Sequence, residues 1–215
     1  MNESEAKAWL TDVWGVSRET FDRLDAFRAL VIEEASRQNL ISANSIPAIW
    51  TRHIVDSAQL LIHATPRGLE DNQSRNWLDL GTGAGFPGMV IAIMRDAPIT
   101  LVESRRKRID FLVEAMEALD LPHVSVFGGR LELLEPESFS VISARAFAPL
   151  PKLFQLAHRF STADTRWLLP KGQRAREEVD MAELDWSGVF HVEQSLTEAE
   201  STIIVARKVG RKGHA

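Results

Sequence analysis

The chain has 215 residues, of which 45% are apolar, so it is long enough for one domain with a sizeable core. It contains no cysteine, which excludes disulfides and thiolate metal sites. The net charge of −5 argues weakly against a nucleic-acid partner, but two basic runs, at residues 105–108 and 207–212, leave a local basic face open.

No targeting or membrane segment is visible. The longest apolar run, residues 89–94, is far shorter than the ~20 residues that cross a bilayer. The N-terminal MNESEAKAWL has neither a basic start nor an apolar signal core. We therefore expect a cytoplasmic protein that makes no membrane contact. We expect no metal, because the six histidines lack ligand spacing. We also expect a monomer, although no sequence feature bears on the oligomeric state.

The chain divides into two patterned regions. Residues 1–64 carry apolar positions at helical spacing, which predicts an N-terminal helical extension. The polar residues 65–76 are typical of a linker. Strands and helices then alternate, with strands at 77–80, 99–103, 124–127, 139–143, 167–169, 188–194 and 202–207, and helices at 87–94, 105–119, 150–160 and after 169. This alternation predicts an α/β, Rossmann-like domain over residues 65–215, with a mostly parallel sheet covered by helices on both faces.

The most informative stretch is the glycine-rich turn Asp79-Leu-Gly81-Thr-Gly83-Ala-Gly85-Phe86-Pro-Gly88. The dinucleotide fingerprint requires a third glycine at position 86, where this chain has Phe, and no Gly-Lys-Ser/Thr follows as in a P-loop. An acidic residue before G-x-G-x-G is the pattern of class I S-adenosylmethionine methyltransferases. Glu103 ends the second strand, where a carboxylate can accept both ribose hydroxyls. Two carboxylates also suit a cofactor with a cationic sulfonium and amino group.

Motifs that the chain lacks limit the kinds of atom that can accept the methyl group. After the fourth strand it reads Val141-Ile-Ser-Ala-Arg145-Ala-Phe-Ala-Pro, not the Asn/Asp-Pro-Pro-Tyr/Phe run of many exocyclic-amine methyltransferases. No Ser-His-Asp order stands out, and we interpret His53, His63 and His123 as surface or cap residues. Guanine N7 needs no base, since its lone pair carries no proton, and attack then depends mainly on alignment and proximity.

From about residue 36 to residue 207, the sequence resembles the RsmG (GidB) family, the bacterial 16S ribosomal RNA guanine-N7 methyltransferases. The resemblance rests on the glycine turn, Asn39-Leu-Ile-Ser, Arg52-His-Ile-Val-Asp-Ser57, Leu101-Val-Glu-Ser104 with Lys107-Arg108, Gly129-Arg130-Leu-Glu132, Ser143-Ala-Arg145-Ala-Phe-Ala and Lys171-Gly-Gln173. Two departures are visible. Glu103 stands where the family often has Asp, and an Ala separates Ser143 from Arg145.

The resemblance implies roles for particular residues. Gly81 and Phe86 would line the cofactor, Leu131 and Glu132 would lie beside its adenine, and the catalytic Arg145 would sit at the junction with the substrate. The full expected cofactor set is Asp79, Gly81, Gly83, Gly85, Phe86, Glu103, Arg130, Leu131, Glu132 and Arg145. The expected RNA contacts are Arg52, Arg105, Lys107, Arg108, Lys171 and Arg174, and the partner is 16S ribosomal RNA, the small subunit or an assembly intermediate.

Two alternatives stay open at this point. A small-molecule methyltransferase can use the same fold, because fold does not fix the substrate. It would have an apolar acceptor pocket and no dependence on RNA. A non-catalytic protein that only docks on ribosomal RNA is the other alternative, and the intact glycine turn and Glu103 argue against it.

Overall fold

The computed structural model describes residues 1–64 and 75–213, so residues 65–74 of the predicted linker lie outside the described residues. Seven strands form one sheet: β1 (Trp77–Leu80), β2 (Ile99–Glu103), β3 (Val124–Gly128), β4 (Val141–Ala144), β5 (Arg166–Lys171), β6 (Trp186–Gln194) and β7 (Thr202–Arg211). Their order is β3-β2-β1-β4-β5-β7-β6. The first five strands in this order are parallel, and β7 is antiparallel to both its neighbours. The predicted α/β fold with a mostly parallel sheet is therefore confirmed.

The helices are mostly short. They are α1 (Glu3–Ala8), α2 (Arg18–Ala35), α3 (Asp56–Ala58), α4 (Leu60–Ala64), α5 (Gly88–Met94), α6 (Arg106–Ala118), α7 (Leu150–Ala157) and α8 (Ala175–Ala182). Trp9–Val13 and Trp50–Val55 are π-helical, and Ala43–Ala48, Leu131–Leu133 and His158–Phe160 are 3₁₀-helical. In the described part of the chain, no helix is long and apolar enough to span a membrane.

Successive side chains of a strand point to opposite faces of the sheet, so they pack into two different hydrophobic clusters. Trp77 packs with α5, α6 and the N-terminal helices, whereas Leu78 packs with α7 and α8 on the other face. The N-terminal segment is therefore part of the helical layer on one face of the sheet. Its buried side chains, such as Phe27 and Ile54, share one hydrophobic cluster with α5.

Several predicted boundaries differ from the structure, most of them because the observed strands are longer. The strand predicted at 139–143 begins only at Val141, because the Phe139 N–H donates to the Phe160 carbonyl outside the ladder. The helix predicted at 150–160 is α-helical only as far as Ala157 and ends in a 3₁₀ turn. Apolar periodicity continues through both ends, so it could not locate these changes.

A buried hydrogen-bond chain joins β1, β4 and the start of α5. The Trp77 Nε1 donates to Ser143 Oγ at 2.7 Å, and that hydroxyl donates to Asp79 Oδ1 at 2.6 Å. The Gly88 N–H donates to Asp79 Oδ2 at 3.0 Å. The strand order reverses between β1 and β4, and ligands of such sheets bind at the carboxyl ends of the strands beside this point. The hydrogen bonds therefore fix the geometry of the expected ligand site.

Gly88 leaves no room for a side chain at this junction. A Cβ there would lie 2.2 Å from Leu101 Cδ2 and 2.7 Å from Asp79 Oδ2. We expect Gly88→Ala to lower the free energy of unfolding by about 1–3 kcal/mol, as overpacking does, in urea denaturation. Gly172→Ala is the matched control, because nothing lies within 4 Å of the added methyl group. Equal stability of the two variants would contradict the proposed steric constraint.

Candidate cofactor and acceptor site

The later part of the glycine turn packs against the N-terminal helices. At Gly85 the backbone φ is +91°, and a Cβ there would lie 2.8 Å from Phe27 Cζ. The buried Phe86 ring lies 5.4 Å from Phe27 and stacks on His53 at 4.8 Å between centroids. Asp79 is fully buried beneath the turn. The structure thus turns Gly85, Phe86 and Asp79, all expected at the cofactor, toward the protein interior.

Glu103 lies at the mouth of the turn instead. Its Oε1 accepts the N–H groups of Ser104 at 2.7 Å and Arg105 at 2.9 Å, and its Oε2 accepts the Gly83 N–H at 3.1 Å. Arg108 Nη1 lies 3.6 Å from Oε2. These contacts tie Gly83 of the turn to the end of β2. The carboxylate is therefore held in place before any ligand arrives.

A cavity of about 400 Å³ opens beside Glu103. We call it the cofactor cavity, because its size suits a small-molecule cofactor. Expected cofactor residues that line it are Gly81, Glu103, Arg130, Leu131 and Glu132. The carboxylate of Glu103 suits a ribose, and the apolar wall formed by Val102, Leu131 and Leu156 suits an adenine ring. The residues present therefore fit S-adenosylmethionine.

Arg145 follows β4 and is held by the Trp50–Val55 segment and by Asp56, the first residue of α3. Its Nη1 donates to the Arg52 carbonyl at 3.2 Å and to Asp56 Oδ2 at 3.4 Å, and its Nη2 lies 3.0 Å from His53 Nδ1. The guanidinium also lies over the Phe86 ring, 5.5 Å from the centroid. Only 24% of the side chain is exposed, so the planar charge has a fixed orientation.

The segment that holds Arg145 has irregular geometry. Trp50–Val55 is π-helical, a form that recurs at functional sites. Asp56 joins it to the loop before β7, because its Oδ1 accepts the Thr197 hydroxyl at 3.0 Å. Ala146, directly after Arg145, has a φ of +52°, which is strained for a residue with a Cβ. The chain around Arg145 is therefore held in an unfavourable conformation by its surroundings.

Burial and the neighbouring Arg145 and Arg52 lower the pKa of His53 from its usual 6.5 to about 3. The ring is therefore neutral near pH 7. Its Nδ1 accepts from Arg145, which assigns the proton to Nε2. That atom is buried and has no hydrogen-bond partner among the residues described. The interpretation of His53 as a surface or cap residue was wrong.

A second cavity, of about 530 Å³, lies at the carboxyl ends of β4 and β5. We call it the acceptor cavity. Arg145, Lys171 and Glu178 line it, and Phe147 lines both it and the cofactor cavity. A Cβ on Gly81 would lie 2.7 Å from Phe147 Cδ2, so this ring packs directly on the glycine turn. The two cavities therefore adjoin at Phe147, as a donor site and an acceptor site must.

Four of the six predicted RNA contacts are exposed cations. Arg105, Lys107 and Arg174 are exposed in the structure. Arg52 is half exposed, and its Nε lies 3.2 Å from the carboxylate of Glu198. All four are exposed enough to reach a phosphate, and Arg105 also borders the cofactor cavity.

The other two lie inside the site. Arg108 lines the cofactor cavity beside Glu103, and its Nη2 donates to the Asn39 carbonyl at 3.3 Å. Lys171 is only 11% exposed and pairs with Glu178 at 2.7 Å. The structure therefore gives neither residue the free surface position that a phosphate contact needs.

Sequence reasoning assigned no role to Asp56, Phe147 or Glu178. Asp56 and His53 are three residues apart in the Arg52–Ser57 motif. This spacing places both side chains on one face of a helix and could have indicated a shared role. Phe147 belongs to the Arg-Ala-Phe-Ala run. Glu178 lies in a run of charges on α8, and no spacing distinguishes it from its neighbour Glu177.

The described residues contain no group of three His, Cys, Asp or Glu side chains that could hold a metal ion. Two histidine rings instead bond to main-chain oxygens: His123 Nε2 lies 3.0 Å from the Ala92 carbonyl, and His158 Nε2 lies 3.0 Å from the Val209 carbonyl.

Solved structures share the fold at low sequence identity. An O-methyltransferase from Bacillus cereus, solved in complex with SAH, matches with a TM-score of 0.59 and 16% identity, covering 95% of this chain and 97% of its own. At that identity the likeness shows the fold alone. Together with the glycine turn, Glu103 and the cofactor cavity, this fold defines a class I S-adenosylmethionine-dependent methyltransferase.

The sequence comparisons are more specific. The family profile of rRNA small subunit methyltransferase G (GidB) matches residues 20–207. The ribosomal RNA small subunit methyltransferase G of Zymomonas mobilis subsp. mobilis is 48% identical over 214 residues, covering 99% of this chain and 96% of that protein. The protein of the same name from Rhizorhabdus wittichii is 50% identical over 215 residues, with the same coverage of 99% and 96%. This chain belongs to the GidB family.

We expect Glu103→Ala to weaken S-adenosylmethionine binding by about 2 kcal/mol, because a hydrogen bond to a charged group contributes roughly 1.5–3 kcal/mol of free energy. Isothermal calorimetry measures this change in affinity. Glu117→Ala, on the exposed side of α6, is the control with the same chemical change. An affinity of Glu103→Ala equal to that of the control would remove Glu103 from the site.

The lowered pKa of His53 predicts acid sensitivity. Between pH 3 and 6.5 the unfolded chain binds a proton at this residue that the folded chain does not, so stability falls as pH falls. For a shift from 6.5 to about 3, the loss at pH 5 is roughly 2 kcal/mol. His53→Asn should therefore lose less stability than the parent between pH 7.5 and pH 5 in urea denaturation. His191→Asn, at an exposed position, should follow the parent, and a His53→Asn curve that also follows it would refute the assignment.

Proposed function

We propose that this protein transfers a methyl group from S-adenosylmethionine to N7 of a guanosine in 16S ribosomal RNA. The family's description and the names of the two relatives support ribosomal RNA of the small subunit as the substrate. The observation that carries the proposal is the pair of cavities that meet at Phe147 beside Arg145. Because N7 has no proton to lose, such a site needs alignment more than a base.

S-adenosylmethionine, when bound, supplies an electrophilic methyl group on a sulfonium. In this proposal Glu103 holds the ribose hydroxyls and Leu131 packs against the adenine. Arg145 lies at the acceptor cavity with its orientation fixed by His53 and Asp56. Its guanidinium can bind a phosphate bidentately and so place the target nucleotide. His53 keeps its Nδ1 lone pair for Arg145, so it orients the arginine and does not accept a proton from substrate.

The two predicted regions acquire different tasks in this proposal. Residues 65–215 hold the cofactor, with the described part supplying the glycine turn and Glu103. Residues 1–64 supply His53 and Asp56, which orient Arg145 on the acceptor side. The N-terminal segment is then a part of the active site and is required for transfer.

We further propose that a monomer acts in the cytoplasm on the small ribosomal subunit or an assembly intermediate. The exposed Arg52, Arg105, Lys107 and Arg174 are the proposed phosphate contacts. The acceptor cavity carries the charges of Arg145, Lys171 and Glu178. A charged lining favours a polar nucleobase over the apolar acceptor that a small-molecule methyltransferase would take.

The proposal fixes the product. Ribosomal RNA from cells with the gene should contain one more N7-methylguanosine than RNA from cells without it, as measured by nucleoside mass spectrometry. Borohydride and aniline should then break the 16S strand at one guanosine. Transfer by the purified enzyme should be nearly constant from pH 7 to pH 8, because neither N7 nor His53, with its pKa of about 3, titrates there. Methylation of an exocyclic amine, a ribose hydroxyl or a pyrimidine carbon would contradict the proposal.

RNA affinity should fall steeply with salt, because each neutralised phosphate releases counterions. Replacing Arg105, Lys107 or Arg174 singly by Ala should reduce the slope of log affinity against log salt by about 1. Arg207→Ala is a suitable control. Arg207 follows Ala206, which pairs with Trp167 near the start of β5, whereas the site lies at the end of β5. Arg207 is therefore at the opposite end of the strands from the site. If the control lowers the slope as much as the other variants, this face is not the RNA-binding face.

A further inference from the structure

The ion pair between Lys171 and Glu178 in the acceptor cavity has unused hydrogen-bonding capacity. The Lys171 ammonium donates to Glu178 Oε2 at 2.7 Å and to the Ala148 carbonyl at 3.0 Å. The same Oε2 also accepts the Leu150 N–H at 2.8 Å. Within residues 1–64 and 75–213, nothing bonds to Glu178 Oε1 or to the third ammonium hydrogen of Lys171. The pair therefore offers one donor beside one acceptor.

The other charged groups of this cavity are already engaged. Asp56 Oδ1 accepts from Thr197 at 3.0 Å and from Gln59 at 2.9 Å, and Oδ2 faces Arg145. Three of the five N–H groups of Arg145 bond to the N-terminal segment, and the proposed function assigns the other two to a phosphate. Hydrogen-bond recognition of a base in this cavity therefore falls most readily to Lys171 and Glu178.

We propose that the Lys171–Glu178 pair reads the Watson–Crick edge of the guanine that is methylated, an inference that rests on the proposed function. Guanine presents, in order, the acceptor O6 and the donors N1–H and N2–H₂. Lys171 donates to O6, and Glu178 Oε1 accepts from N1–H and N2–H₂. Adenine presents a donor first and then an acceptor, so it meets this pair with the wrong polarity.

This reading leaves the methylated atom uncovered. N7 lies on the Hoogsteen edge, beyond O6 from N1, and none of the proposed hydrogen bonds uses it. The acceptor cavity adjoins the cofactor cavity at Phe147. A guanine held by its Watson–Crick edge can therefore present N7 toward the methyl donor. The ring must be unstacked to enter, in line with recognition of single-stranded or irregular RNA.

The same ion pair also has a structural task, so loss of activity alone cannot test the inference. Glu178 accepts the N–H of Leu150, the first residue of α7, and thereby links α7 to α8 and β5. A replacement can loosen this contact without touching substrate recognition. The test must therefore compare two substrates within one variant, so that any loss of folded protein cancels.

The experiment compares guanosine with inosine at the methylated position. Inosine keeps N7, O6 and N1–H but lacks the exocyclic amine. The substrate is 16S RNA ligated with either nucleoside and assembled into small subunits, and kcat/KM is measured at saturating S-adenosylmethionine. The parent protein should prefer guanosine roughly 10-fold or more, the effect of losing a hydrogen bond to a charged group. Glu178→Gln should reduce this preference to less than about 3-fold, because the acceptor loses its charge.

Glu177→Gln is the matched control, because Glu177 is the exposed neighbour on the same helix and does not line the cavity. It should keep the parent's preference. A Glu178→Gln variant that retains the full guanosine preference would overturn the inference, whatever its total activity. Failure of the parent to form any N7-methylguanosine would refute the proposed function instead, so the two failures are distinguishable.

Discussion

The contact on which the site depends is that of Arg145, at the end of β4, with His53 and Asp56 of the N-terminal segment. It joins the strand that ends at the acceptor cavity to the helical layer on one face of the sheet. Phe86 belongs to the same contact, because its ring packs against both His53 and the guanidinium. The cofactor turn and the acceptor side are therefore built on one packed unit, and displacement of either would disturb the other.

The two carboxylates that the motif suggested as cofactor ligands perform different tasks. Burial raises the pKa of Asp79, while its hydrogen bonds to Ser143 and Gly88 act in the opposite direction. Asp79 is thus a structural group that fixes β1 to α5 and β4. Glu103 borders the cofactor cavity and is oriented by main-chain N–H groups. In this turn Asp79 therefore fixes the backbone geometry, whereas Glu103 is the carboxylate that faces the cofactor cavity.

The sequence predicted the alternating fold, the glycine turn and Glu103, because these follow from periodicity and from chemistry local to a few residues. It did not predict the geometry around Arg145. Asp56 lies 89 positions from Arg145, and no local pattern reports contacts at that separation. Charge alone also could not distinguish the cations that are exposed from those that are buried in ion pairs. Lys171 and Arg174 look alike in sequence, yet one is buried in an ion pair and the other is exposed.

The proposed reaction moves a positive charge between the two cavities. The charge resides on a sulfonium in the cofactor cavity beforehand and on the methylated guanine in the acceptor cavity afterwards. Glu103 borders the first cavity and Glu178 the second, so each side has a carboxylate. As the guanine becomes cationic, its hydrogen bonds to Glu178 strengthen and the one from Lys171 to O6 weakens, because the two side chains carry opposite charges. The neutral Lys171–Glu178 pair would therefore distinguish guanine without opposing the charge that methylation creates.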